Sequence, residues 1–293
     1  MLFHSNSSIA YQLSAQHVQR IIFWLKLFGC FYASQQFKTH VLLLVLSSLV
    51  LFNQTLSAGE GTLKLTTGAE YITGNFGGTQ SIDELYIPFT ASYSDNGYVY
   101  RLTIPYISVT APMGTILADG SVISDTGIRR TESGIGDVIV GLTYRDILNA
   151  EPRSNIELDV TAKVKFGTAD LSKGLGTGEN DYTVQAELYN YHDRLTSFGI
   201  LGYKYRGDPS GINLSNSLLA LVGGFYRISS SLKVGLDFSF QESLFSALDE
   251  QEELTAYFGY RLSNSQYLRG YIIQGFGDTS PDWGLGVMIT IRQ

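Results

Sequence analysis

The chain reads as an all-β protein: a closed antiparallel transmembrane β-barrel of about 12 strands, preceded by a signal peptide. Three observations predict it. Apolar and polar residues alternate with a period of two in one segment after another, from Thr62 to the carboxyl end. Charged residues make up only 16% of the chain while aromatic residues reach 13%, and there are 31 Gly against 6 Pro, a balance that suits a sheet whose outer face meets lipid. Near the amino end an apolar run, Val41 to Phe52, follows Lys38 and precedes Thr55, Ser57 and Ala58, as in an export signal.

The apolar run is about a dozen residues long, below the roughly 18–20 that a bilayer-spanning helix needs. The expected organisation is a leader and signal peptide over 1–58, cleaved after Ala58, and an outer-membrane β-barrel over 59–293. Residues 1–37 make the leader unusually long, through either an upstream start codon or a real extension. Leu27-Phe28-Gly29-Cys30 loosely matches a lipoprotein cleavage site, but Phe28 is bulky there and Lys26 interrupts the run, which favours an unused thiol. Three of the 20 basic residues (Arg20, Lys26, Lys38) and none of the 27 acidic ones precede residue 59, so cleavage takes the net charge from −7 to −10. It also removes the single cysteine, which excludes disulfides, thiolate catalysis and cysteine metal sites. So acidic a chain is a poor nucleic-acid binder.

Asn155–Phe166 shows the pattern best. Ile156, Leu158, Val160, Ala162, Val164 and Phe166 alternate with Glu157, Asp159, Thr161, Lys163 and Lys165. Before it come strands at Thr62–Gly74, Gln80–Tyr93, Gly97–Thr110 and Gly136–Ile147. After it come Tyr182–Leu188, Thr196–Arg206, Asn216–Arg227, Ser231–Glu242, Glu252–Leu262, Gln266–Phe276 and Trp283–Arg292. Asp95-Asn96-Gly97 predicts a hairpin turn, because Asn and Gly tolerate positive φ. Ala111–Ser133 and Gly167–Asn180 read as long loops, and connections alternate long and short, as in barrels with outer loops and tight periplasmic turns. Closure follows from the solvent: in hydrocarbon an open sheet edge leaves a row of unpaired backbone groups. Asn216–Arg227 is apolar on both faces and its parity stays open. In Gln266–Phe276, Arg269 assigns the Tyr267 and Tyr271 face to the inside. A large soluble β-sandwich is the competing fold.

A lipid-facing Lys or Arg at mid-membrane costs roughly 2–4 kcal/mol, so the charged faces should turn inward. The lumen-lining candidates are Lys64, Glu70, Glu84, Arg101, Arg145, Glu157, Asp159, Lys163, Lys165, Glu187, Lys233, Asp237 and Arg261. Both signs are present. Such charges either select solutes along a polar pathway or pair and fill the interior. Twelve strands lie between filled small barrels and open large ones.

Three stretches carry a resemblance. Gly134-Ile135-Gly136-Asp137-Val138 with Tyr144-Arg145 is the first. Lys163-Val164-Lys165-Phe166-Gly167-Thr168-Ala169-Asp170 with Gly174-Leu175-Gly176-Thr177-Gly178 is the second, and Ser280-Pro281-Asp282-Trp283-Gly284 the third. Together they resemble the transporter-like outer-membrane β-barrel family named for the meta-pathway of phenol degradation. The resemblance implies an outer-membrane barrel passing small, often aromatic, compounds; no residue roles come with it.

Other signals are weaker. Gly174, Gly176 and Gly178 lack the Lys-Ser/Thr pair and helix of a phosphate loop and read as a flexible outer loop. Asp249, Glu250, Glu252 and Glu253 read as a solvated acidic loop rather than a cation site. Tyr71, Tyr93, Tyr106, Tyr144 and Trp283 suit interfacial girdles. His192, beside Asp193 in a turn, is the one histidine after the leader. It has no evident nucleophile or oxyanion donors, so no enzyme, catalytic residue, metal or cofactor is expected. The expected function is a channel for small, possibly aromatic or organic, solutes in the outer membrane of a Gram-negative bacterium. A structural or surface-binding barrel is the alternative, and an outer-membrane hydrolase ranks lower. Expected partners are the lipid bilayer, periplasmic chaperones, the barrel-assembly machinery and the solute, with no nucleic acid.

Overall fold

The computed structural model describes residues 61–76, 78, 80–112, 129–148, 155–209, 211–245 and 248–293. The expected signal peptide, its cleavage after Ala58 and Cys30 lie outside the described residues. Strand segments follow one another as β1 (Thr62–Gly74), β2 (Ile82–Asp95), β3 (Tyr98–Pro112), β4 (Arg129–Ile135), β5 (Val138–Tyr144), β6 (Ile156–Phe166) and β7 (Asp181–His192). They continue as β8 (Leu195–Tyr205), β9 (Ser217–Arg227), β10 (Leu232–Gln241), β11 (Gln251–Arg261), β12 (Gln266–Phe276) and β13 (Trp283–Arg292).

Strands adjacent in sequence pair antiparallel, save β4 and β5, which both pair with β3, and β1 pairs with β13 from Lys64↔Arg292 to Thr73↔Trp283. That last ladder closes the cylinder and leaves no sheet edge there to meet hydrocarbon. The Thr66 and Thr290 hydroxyls hydrogen-bond across the seam at 2.8 Å. Leu63 and Gln293 exchange both backbone hydrogen bonds at its foot.

The 13 segments make a 12-strand barrel, because β4 and β5 lie end to end along β3. β5 pairs with Tyr98–Thr103, and β4 with Tyr106–Pro112. The stretch expected as a loop over Ala111–Ser133 is therefore strand at both described ends. Between β4 and β5 the chain breaks at Gly136-Asp137. The Gly136 N–H donates to the Pro105 carbonyl at 2.9 Å, and a Cβ there would stand 2.4 Å from Ile107 Cδ1. Pro105 opposes Pro88 in the β2–β3 ladder, so neither residue supplies an N–H where the wall bends.

The connections sort by end. The tight turns 193–194, 228–231 and 262–265 share one end with both barrel termini; 167–180, 206–216, 242–250 and 277–282 lie at the other. Asn96 (φ 47°) and Gly97 (φ 82°) both take the left-handed conformation that a two-residue hairpin needs, so β3 returns directly along β2.

Alternation separates the two faces. Leu102, Val184, Leu201, Val222, Leu236 and Ile272 point outward and remain 41–64% exposed. So wide an apolar band marks a lipid-facing wall. Toward the turn end it carries Tyr98, whose ring lies 5.0 Å from that of Tyr144 and 6.4 Å from that of Tyr100. The opposite face buries Thr103, Thr143, Thr161, Thr183 and Gln185, which is not the interior of a soluble sandwich. A small apolar cluster, Ile82, Val109 and Ala111 with Phe76 and Ile107, packs on this inner face at the loop end. No helix among the described residues is long and apolar enough to cross a membrane.

Candidate functional site

Ladder register puts the charged residues singled out above on the inner face. Lys64 and Glu70 sit on β1, Glu84 on β2, Arg101 on β3, and Arg145 one residue beyond β5. β6 contributes Glu157, Asp159, Lys163 and Lys165; β7 contributes Glu187; β10 and β11 contribute Lys233, Asp237 and Arg261. The structure gathers some of them into networks and leaves others apart.

On β6 and β7 the carboxylates are enclosed by donors. Arg145 Nη2 lies 3.0 Å from Glu157 Oε1, and its Nε lies 3.8 Å from Asp159 Oδ2. The Asp146 N–H donates to Asp159 at 2.9 Å, and the Tyr191 hydroxyl donates to Glu157 at 2.8 Å. Glu187 accepts from Thr161 at 2.8 Å, from Gln185 at 2.8 Å and from Tyr189 at 2.9 Å. Lys163 donates to Gln185 at 2.9 Å. Such enclosure compensates the desolvation of a carboxylate.

Lys165 has a different role. Its ammonium lies 2.9 Å from Asp137 and 3.2 Å from Asp181, and donates to Thr177 at 3.2 Å. Asp137 also accepts from the Ala169 N–H at 2.9 Å. The triad ties the β4/β5 break, the end of β6 and the start of β7 to the connection 167–180. That connection, expected to be a free loop, is docked: Leu175 is 2% exposed and packs against Gly134. A 3₁₀ turn, Leu171–Lys173, starts where Asp170 accepts from the Ser172 N–H at 3.0 Å and the Ser172 hydroxyl at 2.6 Å. The Ser172 hydroxyl bond outweighs the opposing effect of desolvation and holds the Asp170 carboxyl below its ordinary range. Asp137, Thr177 and Asp181 were missed as functional residues. Asp137 and Thr177 stand inside the quoted motifs, but only the fold shows that they meet Lys165.

The third motif is structural too. The Ser280 hydroxyl donates to the Phe276 carbonyl at 2.8 Å and accepts from the Glu252 N–H at 2.8 Å. Thr279 reaches the carbonyls of Asp249 and Glu250 at 3.0 and 2.9 Å. No group of three or more His, Cys, Asp and Glu residues is placed to hold a metal ion among the described residues.

The wall from β9 to β13 is aromatic and basic. The Arg269 guanidinium lies 4.6 Å from the Tyr257 ring centre and 5.2 Å from that of Tyr271. Lys233 sits 4.4 Å over Phe225, and Arg261 5.7 Å over Tyr267. These cation–π contacts lay the side chains along the wall. The tyrosines lie flat for a steric reason. A Cβ on Gly235 would meet the Tyr257 ring at 2.4 Å, and one on Gly286 would meet Tyr271 at 2.2 Å. Each ring covers a glycine on the next strand. The Tyr271 hydroxyl completes the arrangement by donating to Glu70. Gly286→Ala should therefore swing Tyr271 off the wall and break its bond to Glu70. We expect a lower single-channel conductance from a barrel that still folds, read by comparing both proteins in one bilayer set-up.

Two solved structures resemble this barrel. An outer membrane channel from Pseudomonas putida F1 superposes with a TM-score of 0.61 at 13% identity, over 83% of this chain and 98% of that one. The NanC porin superposes with a TM-score of 0.51 at 12% identity, over 78% of this chain and 98% of that one. The fold is a closed antiparallel 12-strand β-barrel. No protein-family profile matches the chain, and no curated protein matches it. The comparisons hold no specific match to a phenol-degradation protein.

Lys64, Arg101, Arg227, Lys233, Arg261 and Arg292 have no carboxylate ion-pair partner among the described residues. Arg227 and Arg292 were not among the sequence candidates. Each ends its strand, where alternation fades into the turn.

Proposed function

We propose that the chain is an outer-membrane channel for small organic solutes. The observation that carries this reading is a closed wall, apolar outside and ionisable inside, on which the rings of Tyr257 and Tyr271 lie against Gly235 and Gly286. A barrel meant only as a scaffold gains nothing from ionisable groups held without ion-pair partners, since each costs desolvation. The candidates from Lys64 to Arg261 named above then line the solute path. The tight turns face the periplasm and the long connections the exterior. The barrel-assembly machinery and periplasmic chaperones deliver the chain to the outer membrane of a Gram-negative bacterium. The aromatic inner wall suits solutes that carry a planar apolar part.

The test is electrical. Purified protein in a planar bilayer should give discrete current steps in KCl, and proteoliposomes should swell in isotonic small solutes. Absence of both from a folded barrel would leave the surface-binding reading.

A further inference from the structure

The charges of the inner face are not evenly spread. Within four residues of the turn end, β1 and β3 carry Lys64 and Arg101, and β9 to β13 carry Arg227, Lys233, Arg261, Arg269 and Arg292. Among the described residues the inner carboxylates that reach this level are Glu157 and Asp159 on β6, already held by Arg145, Tyr191 and the Asp146 N–H, and Asp237 on β10, which lies 4.0 Å from Arg269. The chain as a whole carries −7, so this end runs against the overall sign.

We infer that this basic arc is an anion filter: the turn end of the bore binds and admits small organic anions, carboxylates above all. The inference deepens the channel reading and rests on it for transport; the binding half stands separately. Lys64 shares its surroundings with the charges of Arg292, Arg145 and Arg101, and Lys233 shares its own with Arg269 and Arg227. Like charges held together on one closed wall repel, and a low-dielectric wall sharpens their field. Among the described residues no ion pair repays that cost for six of the bases, whereas an anion in the bore would. Rings of Arg and Lys are how pores select anions, and guanidinium groups fit carboxylates through paired N–H donors. Phe225, Tyr257 and Tyr271 hold Lys233 and Arg269 along the wall. Farther up the same wall stand Glu70, Glu84 and Glu253, which would favour cations if they governed entry.

The experiment pairs two readouts on the full barrel, wild type and Arg101→Glu/Lys233→Glu. In bilayers under a steep KCl gradient the wild type should prefer chloride, and the variant should lose that preference by about fivefold or more. In detergent, carboxyfluorescein polarisation should report binding to the wild type and about tenfold weaker binding to the variant. Lys64→Gln/Arg292→Gln, a milder change, serves if the first variant does not fold. A wild type that prefers potassium overturns the inference, as does a folded variant with unchanged selectivity and probe affinity. A silent bilayer with intact, variant-sensitive probe binding sinks the channel reading and leaves the anion site standing.

Discussion

Lys165→Met should lower the stability of the folded barrel by about 3–5 kcal/mol, the usual cost of removing one partner from a buried ion pair. The side chains concerned are 16%, 6% and 6% exposed for Lys165, Asp137 and Asp181, so solvent can do little to screen the two carboxylates left behind. Methionine keeps the length and apolar stem of lysine, which confines the loss to the charge. The same ammonium also bonds Thr177, so the connection 167–180 loses a tie at the same time. Adding Asp137→Asn to Lys165→Met removes one of the stranded charges and should recover part of the loss. Urea titration of the refolded barrel, followed by tryptophan emission or by the gel-mobility shift of folded protein, reads both values. A midpoint for Lys165→Met equal to wild type would show that the triad is not structural.

The second large effect belongs to the seam. Gly68 faces Met288 across the closing ladder, and a Cβ on it would stand 2.1 Å from the Val287 carbonyl oxygen and 2.7 Å from Met288 Cα. Those are backbone atoms that cannot turn aside. Gly68→Val should therefore force β1 and β13 apart, and an opened seam leaves backbone groups bare in hydrocarbon. The expected outcome is a chain that yields no heat-modifiable folded species. Gly199→Ala is the matched control, since a Cβ there would meet only the Leu221 carbonyl oxygen at 3.9 Å. It should fold with wild-type yield. Equal yields from both variants would mean that the seam tolerates separation.

Strands that are clean in sequence are clean in the barrel: Ile156–Phe166 and Leu232–Gln241 alternate because one face meets lipid and the other does not. Ser217–Arg227 resisted a parity assignment because Leu219, Leu221 and Phe225 point inward while Leu218, Ala220 and Val222 point outward. Its inner apolar residues are used locally, Phe225 lying beneath Lys233. Arg129–Ile135 hid in an expected loop because its composition, R-R-T-E-S-G-I, lacks an apolar face. The charged inner residues could be found by alternation alone. Their grouping could not, since Lys165 meets Asp137 only through the break between β4 and β5, which has no signature in the sequence. The motifs that carried the family resemblance map largely onto this scaffolding rather than onto the basic wall.

Among the described residues β4 has a ladder partner in β3 and none in β6. Its outward residues, Arg129, Thr131 and Ser133, are polar, and Arg129 pairs with outward-facing Asp83. Acyl chains cannot rise along such a flank, because neither the half-paired backbone nor the guanidinium can be solvated there. A bilayer's hydrocarbon should therefore stop near Ile135, an exposed apolar residue, on this side. A leaflet thinned on that side should make the cylinder lean in the membrane toward it.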